Sequence, residues 1–109
     1  LSKADEDYFT SEFQGSGFFG PLSRYRNHQR DFDWLQGFKD RKIEQPALFI
    51  GGERDLVLKM IPGVNPLDYM KPHLPNLRDA HILPGVGHWT QQEAPEEVTR
   101  LLVGWLKGL

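Results

Sequence analysis

The sequence predicts an α/β protein: a parallel sheet with flanking helices, preceded by a separate helical segment. Three observations lead there. Residues 1–40 hold six of the seven phenylalanines and read as helix. Two short apolar runs, Ala47–Ile50 and Ala80–Leu83, are each stopped by glycine or proline–glycine and read as strands. The chain then closes on a one-sided apolar helix after Pro95. Strand, crossover, strand, helix is the order of a parallel unit, because parallel strands need a long connection between them.

Taken in order, Ser2 and Asp5 have the S-x-x-D spacing of a capping box, and Phe9 and Phe13 then share a helix face. Gly15 and Gly17 end that helix. Pro21 suits the first turn of a second one, where its missing N–H costs nothing. Leu22, Tyr25, Phe32 and Leu35 make its stripe, interrupted by Gln29, so two helices are expected in this half. After residue 40, Pro46 introduces Ala47–Ile50, a continuous run expected to be buried on both faces and closed by Gly51-Gly52. A Pro- and Gly-broken stretch follows, with a helical piece near Leu67–Lys71, and then the second strand up to Pro84-Gly85. In the last helix, Pro95, Glu96 and Glu97 form an acidic first turn that suits the positive end of the dipole. Val98, Leu101, Leu102, Trp105 and Leu106 supply the apolar face.

The 109 residues carry 13 Lys plus Arg against 15 Asp plus Glu, a net charge of −2. That excludes the basic footprint of a nucleic-acid binder. The absence of cysteine excludes a disulfide scaffold and thiolate zinc sites, fits a reducing compartment, and leads to a cytoplasmic expectation. The longest apolar run, Ala47–Ile50, is far below the ~20 residues that span a bilayer, so no membrane partner is expected. The chain begins at Leu1 without a leader, and two strands are few for a parallel sheet. A fragment of a longer protein is therefore expected.

Functional groups in parallel sheets collect on loops beyond the carboxyl ends of strands. The two such loops are Gly51-Gly52-Glu53-Arg54-Asp55 and Pro84-Gly85-Val86-Gly87-His88-Trp89. Adjacent strands would bring Asp55 and His88 to one rim, where a carboxylate on one ring nitrogen leaves the other free as a base. Asp is also common in turns, so spacing alone leaves Asp55 open between the two roles. His28, His73 and His81 lack such context and read as surface or structural. No H-E-x-x-H pairing suggests a metal site, and Gly85-x-Gly87 is too short for a dinucleotide fingerprint, so neither metal nor cofactor is expected. Trp34, Trp89 and Trp105 read by default as core aromatics. Tyr25, between Arg24 and Arg26, is either an amphipathic helix residue with its hydroxyl at the surface or a phenol able to donate to a developing alkoxide. No G-x-S-x-G elbow is present, and Ser2, Ser11, Ser16 and Ser23 all lie in the helical half, so the constellation lacks a nucleophile.

Three segments together resemble a soluble-type epoxide hydrolase of the α/β-hydrolase superfamily, in its C-terminal third. Ser16–Asn27, SGFFGPLSRYRN, resembles that family's cap segment S-G-F-x-G-P-L-x-x-Y-R-N. Ile43–Asp55 resembles its triad-acid loop. Gly87-His88-Trp89-Thr90-Gln91, with Glu93 and Pro95, resembles G-H-W-x-Q-x-E/D-x-P around the triad histidine. The cap segment is specific, whereas the other two also occur in haloalkane dehalogenases. The resemblance implies a helical cap ending in residues 1–40 and α/β-hydrolase core units in 41–109. It implies that Tyr25 hydrogen-bonds the epoxide oxygen, that His88 activates water against an alkyl-enzyme ester, and that Asp55 orients His88. Leu56, Val57 and Trp89 would line the pocket. The implied reaction converts a small-molecule epoxide to a vicinal diol without cofactor. The aspartate nucleophile, the oxyanion-hole loop and the second cap tyrosine would lie in the N-terminal part of the same enzyme, so this chain alone is expected to be inactive. A homodimer is left open. The alternatives are a haloalkane dehalogenase, which uses halide-binding donors instead of a tyrosine, and a non-catalytic binding or assembly module.

Overall fold

Ser2 and Asp5 form a complete capping box in the computed structural model, which describes residues 1–60 and 62–109. The Asp5 N–H donates to the Ser2 hydroxyl at 3.2 Å, and the Ser2 N–H donates to the Asp5 carboxylate at 2.8 Å. The helix they start, α1 (Lys3–Ser16), stops at Gly17, whose φ of +65° lies in the region open to glycine. There the Gly17 N–H donates back to the Phe13 carbonyl at 2.8 Å, and the Phe13 and Phe18 rings stack with centroids 4.7 Å apart.

The expected second helix is in fact two, α2 (Phe19–Arg26) and α3 (His28–Leu35), followed by a 3₁₀ turn at Gln36–Phe38. The break falls on Asn27, at φ −88° and ψ 0°, which caps the end of one helix and the start of the next. Asn favours such positions because its side chain competes with the helical ladder. The proposed stripe also had a seven-residue gap between Tyr25 and Phe32, so no apolar pair bridges the turn at Asn27. Pro21 sits in the first turn of α2, as its missing N–H requires.

Contacts group the chain into two units, Leu1–Asp40 and Arg41–Leu109. In the second, β1 (Ala47–Gly52) and β2 (Leu77–Leu83) pair in parallel, with Leu48 opposite Asp79 and Gly52 opposite Leu83. Both strands are longer than their apolar runs. Leu77 and Asp79 belong to β2 because β1 offers them partners, with the register shifting at Arg78 between them, and not because of their patterning. Ala47–Ile50 is half-buried and not enclosed on both faces, since the described sheet has two strands. Between the strands lie a 3₁₀ turn at Val57–Lys59, α4 (Pro66–Met70) capped by Asn65, and a 3₁₀ turn at Lys71–His73. The Asn76 side-chain amide and the Ile43 and Ala47 amides bind this connection to the approach to β1.

After β2 come α5 (Thr90–Glu93) and α6 (Pro95–Lys107). On α6, Val98 is buried, Leu101 and Trp105 are half-buried, and Leu102 and Leu106 are exposed. The three tryptophans do not form the expected core. Trp34 packs on Phe38 at the helix surface and Trp89 follows His88 in a loop, and both are exposed. Among the described residues, no helix is long and apolar enough to cross a membrane.

Candidate active site

Parallel pairing sets the carboxyl ends of β1 and β2 side by side, so the loops leaving them meet. Backbone bonds stitch them together: the Glu53 N–H donates to the Leu83 carbonyl at 3.0 Å, and the Arg54 N–H to the Val86 carbonyl at 2.8 Å. The approach is close enough that a Cβ on Gly52 would fall on the carbonyls of Val86 and Gly87. Glycine at position 52 is therefore a steric requirement of this crossing. Gly85 makes the opposing turn, with a φ of +72°.

Asp55 and His88 meet at this crossing. His88 Nδ1 lies 3.0 Å from Asp55 Oδ2, across 33 residues of chain. The other carboxylate oxygen accepts the Val57 N–H at 2.8 Å, which fixes the rotation of the carboxylate. Asp55 is buried, only 7% exposed, while His88 is open to solvent. The hydrogen bond from His88 holds the Asp55 carboxyl below the ordinary carboxylate range; burial opposes this, and the Val57 amide adds to it. An ionised Asp55 accepts from Nδ1–H, so the proton sits on Nδ1 and the Nε2 lone pair is free to take one from water. That is the arrangement of an oriented general base.

An open hollow of about 310 Å³ lies against this pair, and Phe49, Ile50, Leu58, Trp89 and Gln91 are among its lining residues. Trp89 thus faces the hollow, its ring edge-on to His88 at 5.2 Å. Leu56 and Val57 flank Asp55 with exposed side chains, and Leu58 of the same turn is among the residues against the hollow. Tyr25 lies on α2 of the other unit, exposed, with its ring 5.7 Å from that of His28. Arg26 lies over the Phe19 ring at 5.1 Å. Among the described residues, no group of three or more His, Asp or Glu side chains is placed to hold a metal ion.

Two carboxylates were given no role by sequence reasoning. Glu53 accepts the Gly85 N–H at 2.8 Å. Glu93 accepts the Gly87 N–H at 2.6 Å on one oxygen and the Trp89 N–H at 3.1 Å on the other. The spacing of Glu93 from Gly87-His88-Trp89 was the available signal. Its partners are backbone amides, which leave no trace in residue identity.

No family model matches the chain. Over all 109 residues it is 44% identical to epoxide hydrolase B of Mycobacterium tuberculosis, of which it spans 30%. It is 42% identical to the bifunctional epoxide hydrolase 2 of Rattus norvegicus over 93% of this chain and 17% of that protein. Among solved structures, an epoxide hydrolase from an endophytic Streptomyces superposes with a TM-score of 0.90 at 47% identity, over 99% of this chain and 32% of that one. The chain therefore spans about a third or less of each of these relatives.

Proposed function

Since this chain belongs to the epoxide hydrolases of the α/β-hydrolase superfamily and matches their C-terminal portion, we propose that it supplies the water-activating part of an enzyme that opens epoxides to vicinal diols. The observation that carries the reading is the 3.0 Å hydrogen bond from His88 to a buried Asp55. In this reading residues 1–40 are the end of a helical cap and residues 41–109 the last strand–helix units of the core.

The reaction proceeds in two steps. A carboxylate nucleophile, contributed by a part of the protein outside these 109 residues, attacks an epoxide carbon; the C–O bond breaks and an alkyl ester forms. The Tyr25 hydroxyl donates to the oxygen that takes up the negative charge. His88 Nε2 then removes a proton from water as the hydroxyl attacks the ester carbonyl, and Asp55 stabilises the imidazolium. The acyl C–O bond then breaks, the departing oxygen takes the proton left on the acid, and the imidazolium proton replaces the one given to the first oxygen; release of the diol restores the carboxylate, with one water added overall. Trp89, with Leu56 and Val57 beside Asp55, would contact the substrate. A cytoplasmic setting, consistent with a cysteine-free chain, and a homodimer belong to the proposal; light scattering on the whole protein tests the second.

The deciding experiment uses the whole protein that carries this chain, with styrene oxide as probe. His88→Gln should trap the ester, seen as a mass increase of one substrate, while turnover falls by about a hundredfold or more. Tyr25→Phe should slow ester formation more than ester hydrolysis. Turnover of His88→Gln at the parent rate overturns the reading. Halide release from a haloalkane without diol formation from epoxides would assign the chain to a dehalogenase.

A further inference from the structure

His88 is poorly held by packing. Its side chain is 54% exposed, and among the described residues its ring has one hydrogen-bonding partner, Asp55. The direction in which the imidazole leaves the loop therefore depends on the peptide planes on either side of it. The plane that follows it, His88–Trp89, and the plane one residue before it, Val86–Gly87, end on the same side chain. The two Glu93 carboxylate oxygens accept the amides of Gly87 and Trp89, the residues immediately before and after His88. The reach is short because Glu93 stands on α5, one turn beyond Trp89, and its own N–H donates to the Trp89 carbonyl at 2.9 Å. Gly87 leaves room for this contact: a Cβ there would lie 2.8 and 2.9 Å from the two Glu93 oxygens. On the far side the loop rests on Gly52, and Glu53 holds Gly85.

From this geometry, and resting on the function proposed above, we infer that Glu93 is a positioning residue for His88. Its carboxylate brackets the histidine by both neighbouring amides and aims the ring at Asp55. Among the described residues the side-chain hydrogen bonds of Glu93 go to backbone amides and not to Asp55 or the imidazole, so it acts through the backbone. It is exposed to solvent, which limits its value to overall stability and leaves the aim of the ring as its main effect.

Glu93→Gln keeps the side-chain length and leaves one oxygen acceptor for two amides. In the whole protein with styrene oxide, single-turnover measurements should show ester hydrolysis slowed about tenfold relative to ester formation. That is a fraction of the roughly hundred- to ten-thousandfold that a positioned base supplies. Gly87→Ala, which displaces the Glu93 carboxylate sterically, should change the same ratio in the same direction. A residue that served only stability would scale both steps with the folded fraction and leave their ratio alone. In the substrate-free protein, the low-field proton of His88 Nδ1–H bonded to Asp55 should exchange faster in both variants. An unchanged proton signal in Glu93→Gln, or in Gly87→Ala should Glu93→Gln not fold, overturns the inference whatever the substrate assay shows. A proton that responds in a protein whose His88→Gln form traps no ester upholds the positioning and removes the epoxide reaction.

Discussion

Leu1–Asp40 and Arg41–Leu109 hold their shapes by different means. Among the described residues, the side-chain hydrogen bonds of α1, α2 and α3 in the first unit reach no further than four residues along the chain, and none of these helices has a buried residue. In the second, bonds cross 32 and 33 residues, and the buried side chains Asp55, Leu83, Thr90 and Val98 all belong to it. Helices of eight to fourteen residues with no buried face are marginal on their own in water. The first unit therefore presents Phe19, Phe32, Trp34 and Tyr25 on local scaffolding, whereas the second builds a site from loops that depend on each other. In the second kind of support the aim of His88 at Asp55 is set by loops that are distant in sequence.

The comparison breaks most visibly at Asp55. Asp55→Asn in the whole protein should lower turnover by about a thousand- to ten-thousandfold, because an amide can offer the ring an N–H and favour the wrong tautomer. Steady-state diol formation checks this, and a loss under tenfold would show that the long-range pair is dispensable. The same pair has a pH signature. The folded Asp55 carboxyl titrates below its ordinary 3.8, so its contribution to stability is complete above that value and is lost as pH falls through the depressed one. His88→Gln removes the largest cause of the depression, and the Asp55 carbon signal should then titrate at higher pH.

Gly52→Ala is expected to come next in size. The new methyl meets backbone carbonyls that cannot swing away, and overpacking of this kind costs about 3 kcal/mol or more. Urea unfolding of the whole protein should show that loss. Gly104→Ala on α6, where nothing lies within 4 Å, serves as the control and should be neutral or stabilising by about 0.5–1 kcal/mol. Equal losses in the two variants would mean that the crossing of the loops is not what requires Gly52.

How much could be read from residues alone follows the same division. Ala47–Ile50 and the stripe from Val98 to Leu106 announce themselves by pattern, and the capping box at Ser2 by spacing. Asp55 and His88 were legible as a pair because each follows a strand in a parallel arrangement. The start of β2 was not, since Leu77-Arg78-Asp79 becomes strand only against a partner. The break at Asn27 is hidden in the sequence because an apolar stripe can be drawn through it, although a polar side chain of this kind favours a break. The exposure of Trp34 and Trp89 escaped the usual expectation that large aromatics are core. Glu53 has no role legible in the sequence, and Glu93 only its place in the Gly87-His88-Trp89 segment, because a backbone amide is the same at every residue except proline and a carboxylate that holds one has no complementary side chain to find. The role proposed for Tyr25 comes from the resemblance of Ser16–Asn27 to the cap segment, and the Tyr25→Phe measurement tests it.

The smallest effect is expected at the other end of the comparison. Ser2→Ala removes the hydroxyl that accepts the Asp5 amide and donates to the Asp5 carboxylate, leaving that carboxylate only the backbone N–H of residue 2. N-cap losses of this kind cost about 1 kcal/mol of helix stability. Asp5, like Asp55, has its carboxyl held below the ordinary range, here by the Ser2 backbone N–H first and its hydroxyl second. The sign is therefore the same: the box contributes fully above the ordinary value and fails as pH falls through the depressed one. Its partners lie three residues apart, so the consequence should stay in α1. Amide exchange should quicken over the first turn, Lys3 to Glu6, while the low-field His88 proton is unmoved. A shift of that proton in Ser2→Ala would show that the capping box is not confined to local work, and the contrast between a locally scaffolded unit and an interlocked one would have to be abandoned.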